Sequence, residues 1–160
     1  MTFQRGFLIG RFQPLHFGHI HLIRESLKQI QTIIIGVGSA QDYQVHEEEN
    51  PYSYAQREKM LREMIRHKQL SERIDTIIPL IDNPDDDAWR TAVLKMTGPI
   101  DVVVSNNDWV KGIFERVNIP TLSVPLYRRD LYEGTKIREI LKNSNDYKEY
   151  LPSYVWKIIE

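Results

Sequence analysis

The 160-residue sequence contains no cysteine. That excludes a disulfide framework, thiolate catalysis and any zinc site built on sulfur. A marked excess of either charge is missing as well. The formal net charge is −1, so no global basic field recruits nucleic acid, and anion binding has to be local. Long apolar runs are also absent. The first, Phe7 to Ile9, is too short for a signal peptide, and no stretch approaches membrane-spanning length. There is no repeat, low-complexity tract or linker. The expectation is a soluble, cytoplasmic protein forming one domain over residues 1–160, with neither nucleic acid nor membrane as partner.

What the sequence does contain is alternation. Short β-branched runs at Gly6–Ile9, Thr32–Val37, Thr76–Leu80, Asp101–Ser105 and Thr121–Val124 predict strands. Several are apolar at consecutive positions, the pattern of parallel strands covered on both faces. Helix-period segments lie between them. Ile20, Ile23, Leu27 and Ile30 form one stripe. Ser53 and Gln56 make a capping-box pair ahead of Met60, Leu61, Met64 and Ile65. Further helices are predicted from Asp87 to Met96, from Asp108 to Val117, from near Thr135, and at the end of the chain. The acidic stretch Asp82–Asp87 reads as a surface loop, and the connection from Gly38 to Tyr52 as one long enough to be functional. The fold class is α/β: a single Rossmann-like, doubly wound parallel sheet of about five strands with helices on both faces. Such sheets bind ligands beyond the carboxyl ends of their strands.

The loop after the first strand reads Gly10-Arg11-Phe12-Gln13-Pro14-Leu15-His16-Phe17-Gly18-His19. With a helix starting near Phe17, His16 and His19 reach the same side of its first turn. That turn offers unpaired N–H groups and the positive end of the helix dipole. Gly18 leaves room for a ligand to approach, and Arg11 adds a fork of donors for phosphate oxygens. A metal site from His16, His19 and His21 is disfavoured, because His21 falls on the opposite side of a helix and no carboxylate lies near in sequence. Packing and capping by the His pair alone is the plainer alternative.

The run Gly-Arg-Phe-Gln-Pro followed by His-x-Gly-His resembles the HxGH nucleotidyltransferase superfamily, in the form carried by archaeal-type nicotinamide-mononucleotide adenylyltransferases. The resemblance spans the chain from Gly6 to about Ile159. It implies adenylyl transfer from ATP to nicotinamide mononucleotide, giving NAD and pyrophosphate, with His16 and His19 catalytic. Gly10, Arg11, Phe12, Gln13 and Gly18 would be on the ATP side. Tyr132-Glu133-Gly134-Thr135-Lys136-Ile137-Arg138 resembles the superfamily's second phosphate turn, placing Gly134, Thr135 and Arg138 with ATP. Tyr127 and Arg128, just upstream, are expected beside them, together with Arg129. Glu133 stands where a Ser is usual and is expected to face solvent.

On the mononucleotide side the resemblance places Ser39 and Gln41 of Gly38-Ser39-Ala40-Gln41, then Asp82, Trp89 stacking on the base, and Asn107 of Ser105-Asn106-Asn107-Asp108. Trp89 packing into the core, Asn107 serving only as a helix cap, and the Gly38 stretch being a simple turn are the alternatives. Glu49 replaces a phosphate-binding Arg of some members, with His46 the substitute, and Asp86 replaces an Asn. Arg57, in the helix after Ser53, reads as an exposed helix residue. Mg²⁺ is expected with ATP but no protein metal site, and the resemblance implies a homo-oligomer. Gly36-Val37-Gly38 lacks the third glycine of a dehydrogenase fingerprint and follows the wrong strand. The rivals are the same chemistry on nicotinate mononucleotide, phosphopantetheine or flavin mononucleotide, a non-catalytic nucleotide sensor, and a nucleic-acid binder.

Overall fold

Why this chain forms a two-faced sheet is visible in the alternation along its strands. In the computed structural model, which describes residues 1–41 and 47–160, five parallel strands pair in the order β3-β2-β1-β4-β5. They are β1 (Phe3–Gly10), β2 (Ile30–Val37), β3 (Ile74–Pro79), β4 (Val102–Val104) and β5 (Thr121–Leu122). Leu8, Ile33, Ile35, Val102 and Val104 point to one face. Their neighbours Phe7, Ile34 and Val103 point to the other. The first face is covered by α1 (Phe17–Ser26), α2 (Tyr54–His67), α5 (Gly134–Asn143) and α6 (Ser153–Ile159). The second is covered by α3 (Asp86–Thr97) and α4 (Asp108–Glu115).

The chain runs outward from β1 through β2 to β3, then returns to the other side of β1 with β4. That reversal opens a crevice past the carboxyl ends of β1 and β4, the place where open parallel sheets take ligands.

Each expected strand and helix is present, with shifted ends. β1 starts at Phe3 rather than Gly6, because Phe3 and Arg5 pair with Ile30 and Thr32 of β2 despite the polar side chains, and the Gln4 and Arg5 amides donate to Asp101 Oδ2 at 3.0 and 2.9 Å. β4 and β5 are shorter than expected. The acidic stretch is not all loop. Asp85 caps α3, accepting from the Asp87 and Ala88 amides, and Asp86 and Asp87 form the first turn, where carboxylates suit the helix dipole. A 3₁₀ turn at Asp146–Glu149 had no periodic signal in the sequence.

Candidate active site

The first loop leaves β1 at Gly10 and turns at Phe12, whose φ of 53° folds its buried ring back beneath Gly10. His16 then caps α1: its Nδ1 accepts from the Gly18 amide at 3.1 Å, while His19 Nδ1 accepts from the His16 amide at 3.2 Å. Two imidazoles thus form a reciprocal capping box, their rings stacked with centroids 3.7 Å apart. Because each Nδ1 is an acceptor, each neutral ring carries its proton on Nε2. Burial, followed by the nearby Arg138 charge, lowers the His16 pKa to about 3. Burial and then His16 push His19 well below the usual histidine range. Both rings are therefore neutral Nε2–H donors near pH 7. A side chain at Gly18 would meet His16 Cε1 at 2.9 Å and Tyr132 Cβ at 3.0 Å, so this turn admits only glycine.

The start of α5 faces the same space. Arg138, from its second turn, donates to the Gln13 carbonyl at 3.0 Å and reaches Thr135 Oγ1 at 3.4 Å. Burial and then Arg11 lower its pKa, so the two guanidiniums sense one another. A cavity of about 310 Å³ lies between the two helix starts. Of the residues expected on the ATP side, Arg11, Phe12, Gln13, His16, Gly18, His19, Tyr127, Gly134, Thr135 and Arg138 line it. Two helix N-termini and three guanidiniums, those of Arg11, Arg129 and Arg138, face one hollow and make it a receptor for a polyanion.

A second cavity, about 440 Å³, opens on the other side of Arg11, over the ends of β1, β2, β3 and β4. Gly10, Ser39, Asp82, Trp89 and Asn107 line it. The Asp82 carboxylate accepts from Ser39 Oγ at 3.1 Å and from Gln41 Nε2 at 2.8 Å. Asn107 caps α4 through Oδ1 and borders the cavity as well. Arg11 belongs to both linings.

A cytidylyltransferase-like family model matches residues 7–157. Archaeal proteins named nicotinamide-nucleotide adenylyltransferase align over 98% of this chain: one from Methanothrix thermoacetophila is 37% identical over 89% of its own length, and one from Archaeoglobus fulgidus is 35% identical over 90%. The chain belongs to this family. Solved structures agree on the fold. A bifunctional NMN adenylyltransferase/ADP ribose pyrophosphatase from Francisella tularensis superposes with a TM-score of 0.79 at 23% identity, covering 98% of this chain and 50% of that one. The same protein described as complexed with AMP and Mn ion gives 0.73, and this chain spans about half its length (52%).

As an adenylyltransferase-family site, the crevice departs from the sequence expectations at several points. Arg128 is exposed, its Nε 3.5 Å from Asp130, and Arg129 lines the first cavity instead. Gln41 does not line the second cavity but holds Asp82 from behind. The Gln13 amide is occupied by Tyr52, donating to its carbonyl and accepting from its amide, both at 3.0 Å. Arg11 Nη2 donates to the Glu49 carbonyl at 2.8 Å and to Asn50 Oδ1. Glu133 does not face open solvent: it lines the cavity, 3.7 Å from both Arg129 and Lys136. Asp86 is 3.8 Å from Arg116 and off the cavity, where Asn83 stands instead. Trp89 is packed as in the core reading, 6% exposed against Phe114, and it is also part of the cavity wall. His46 lies outside the described residues.

Arg57 corrects its expectation most sharply. It is 1% exposed, not a surface residue, because it sits on the stripe of Met60, Leu61 and Met64 that faces the sheet. The residue that sequence reasoning missed is Trp109. It is 52% exposed on the first turn of α4, with its ring 6.1 Å from Trp89 and in the second cavity. Its place just after the Asn107 cap was the available signal. His21 stacks on Tyr127 at 4.6 Å, away from the His pair.

Proposed function

We propose that the chain transfers the adenylyl group of ATP to nicotinamide mononucleotide, releasing pyrophosphate and forming NAD. The observation that carries this reading is the pair of cavities meeting at Arg11, one built for a polyanion and one floored by Trp89 with a fixed carboxylate. ATP lies across the starts of α1 and α5, and the mononucleotide lies over the ends of β2, β3 and β4. An oxygen of the acceptor's 5′-phosphate attacks the α-phosphorus in line, and the bond to the bridging oxygen of pyrophosphate breaks. The attacking oxygen is already anionic, so the protein moves no proton. Its work is alignment and electrostatic stabilisation. His16 and His19 donate neutral Nε2–H bonds to the reacting phosphate, and Arg11 and Arg138 carry the positive charge.

A divalent cation belongs to the same proposal as Mg²⁺ on ATP. Among the described residues no group of three His, Asp or Glu could hold a metal, and the cavity's charged donors are arginines. Bound with ATP, the ion would supply charge neutralisation beside Arg11 and Arg138 as the bond to pyrophosphate breaks. Among the described residues no helix is long and apolar enough to cross a membrane, and the lack of cysteine suits a reducing cytoplasm. Self-association into a homo-oligomer, which sedimentation would measure, completes the reading.

The deciding experiment incubates the protein with ATP, Mg²⁺ and nicotinamide mononucleotide and assays NAD and pyrophosphate. Parallel reactions with nicotinate mononucleotide, phosphopantetheine and flavin mononucleotide rank the acceptors. Absence of both products with the first acceptor overturns the proposal.

A further inference from the structure

Arg57 is a buried cation whose four side-chain hydrogen bonds all end on main-chain carbonyls. Nη1 donates to Arg11 O at 2.9 Å and to Gly38 O at 2.7 Å, Nη2 to Ser39 O at 3.0 Å, and Nε to Ser53 O at 3.3 Å. The first carbonyl belongs to the loop after β1, and the next two belong to the loop after β2. These loops carry Arg11 and Ser39, which border the two cavities. They meet directly through a bond from Gly38 N to Gly10 O at 2.8 Å, and the second loop also bonds to the end of β3 through Ala40 N and Leu80 O at 2.9 Å. A planar guanidinium is suited to spanning two backbones, because its donors are separated and rigidly oriented. Carbonyls at strand ends left without a donor would either be unsatisfied or turn toward the crevice, where they would repel phosphate.

We infer that Arg57 is a positioning residue for the transfer reaction, fixing the acceptor loop, residues 38–41, against the first loop so that the two substrates meet in line. This deepens the adenylyl-transfer reading and rests on it. Each substrate is held mainly by its own cavity, so losing the brace leaves the separate affinities near wild type and disturbs their alignment. Misplacement by about 1 Å costs on the order of a hundredfold in rate. The guanidinium remains charged at neutral pH although burial, then Arg11, lowers its pKa to about 10. A contribution from charge alone therefore has to be separated from bridging. Arg57→Lys does so, because it keeps the charge at a single nitrogen without the spread of donors.

The test measures steady-state kinetics and backbone amide exchange on wild type, Arg57→Gln and Arg57→Lys. Arg57→Gln is expected to lose about a hundredfold in kcat with KM for ATP and for nicotinamide mononucleotide nearly unchanged. Arg57→Lys is expected to stay at least about tenfold below wild type, and it carries the kinetic test should Arg57→Gln fail to fold. In both variants the Gly38 and Ala40 amides exchange at least about tenfold faster while Ile34 and Ile35 in β2 stay protected. A loss confined to KM, a full rescue by lysine, or unchanged Gly38 and Ala40 exchange each overturns the inference. Wild type forming no NAD sinks the adenylyl-transfer reading instead, and amide exchange still decides whether Arg57 registers the loops.

Discussion

His16 and His19 spend their Nδ1 atoms on the backbone, so their Nε2–H groups are aimed before any ligand arrives. Replacing His19 with Ala removes one such donor and is expected to lower kcat by a hundred- to thousand-fold, roughly 3–4 kcal/mol, with the far-ultraviolet spectrum of wild type. Near-wild-type turnover in that variant would remove the imidazole from the mechanism. On the proposed adenylyl-transfer reading, Asp82 would act on selectivity. Its carboxylate, held by Ser39 and Gln41, can accept from the carboxamide of nicotinamide but repels the carboxylate of nicotinate. Asp82→Asn is expected to shift the ratio of kcat/KM for the two mononucleotides about tenfold toward nicotinate, which paired kinetic assays would measure. The His pair was legible in sequence because its chemistry is contained within four consecutive residues. Arg57 and the Gln13 amide were not, because the partners they reach in other loops lie 18 to 46 residues away and nothing local marks the pairing.

Among the elements, α2 joins the core to the crevice. Its first turn is closed by the box between Ser53 and Gln56, with Gln56 N donating to Ser53 Oγ at 3.2 Å and Ser53 N to Gln56 Oε1 at 2.8 Å. Ser53→Ala is expected to destabilise the protein by about 1 kcal/mol in urea titration. Unaltered stability would mean that Arg57 and tertiary packing alone hold this helix start. The cap was readable from sequence because it is local. Strand ends were less so: β1 extends to Phe3 by pairing with Ile30 of β2, and its Gln4 and Arg5 amides are taken up by the carboxylate of Asp101, next to β4. Such bonds depend on sheet order, which hydrophobic periodicity does not encode.

At the scale of the molecule, the buried His pair sets a pH dependence. His16 has a folded pKa near 3 against an ordinary 6.5. Between those values the unfolded chain takes up a proton that the folded chain refuses. Stability therefore rises with pH across this window and declines as pH falls from about 6.5 toward 3, by on the order of a few kcal/mol for His16, with His19 acting in the same direction. Denaturant midpoints at pH 7 and pH 4.5 measure it, and His16→Gln is expected to flatten the slope.

α6 lies away from both cavities, but Val155 and Leu151 share the core of Met60 and Met64, and Tyr154 stacks on His67 at 4.6 Å. The far end of the chain thus holds steady the helix from which Arg57 reaches the crevice. Deleting residues 151–160 is expected to depress turnover and to loosen the loop at 38–41, without removing a residue that lines either cavity. Full turnover by that shortened protein would show that α2 keeps its seat unaided. If turnover falls, the tail works as a remote buttress, and damage there would be mistaken for a lesion of the site itself.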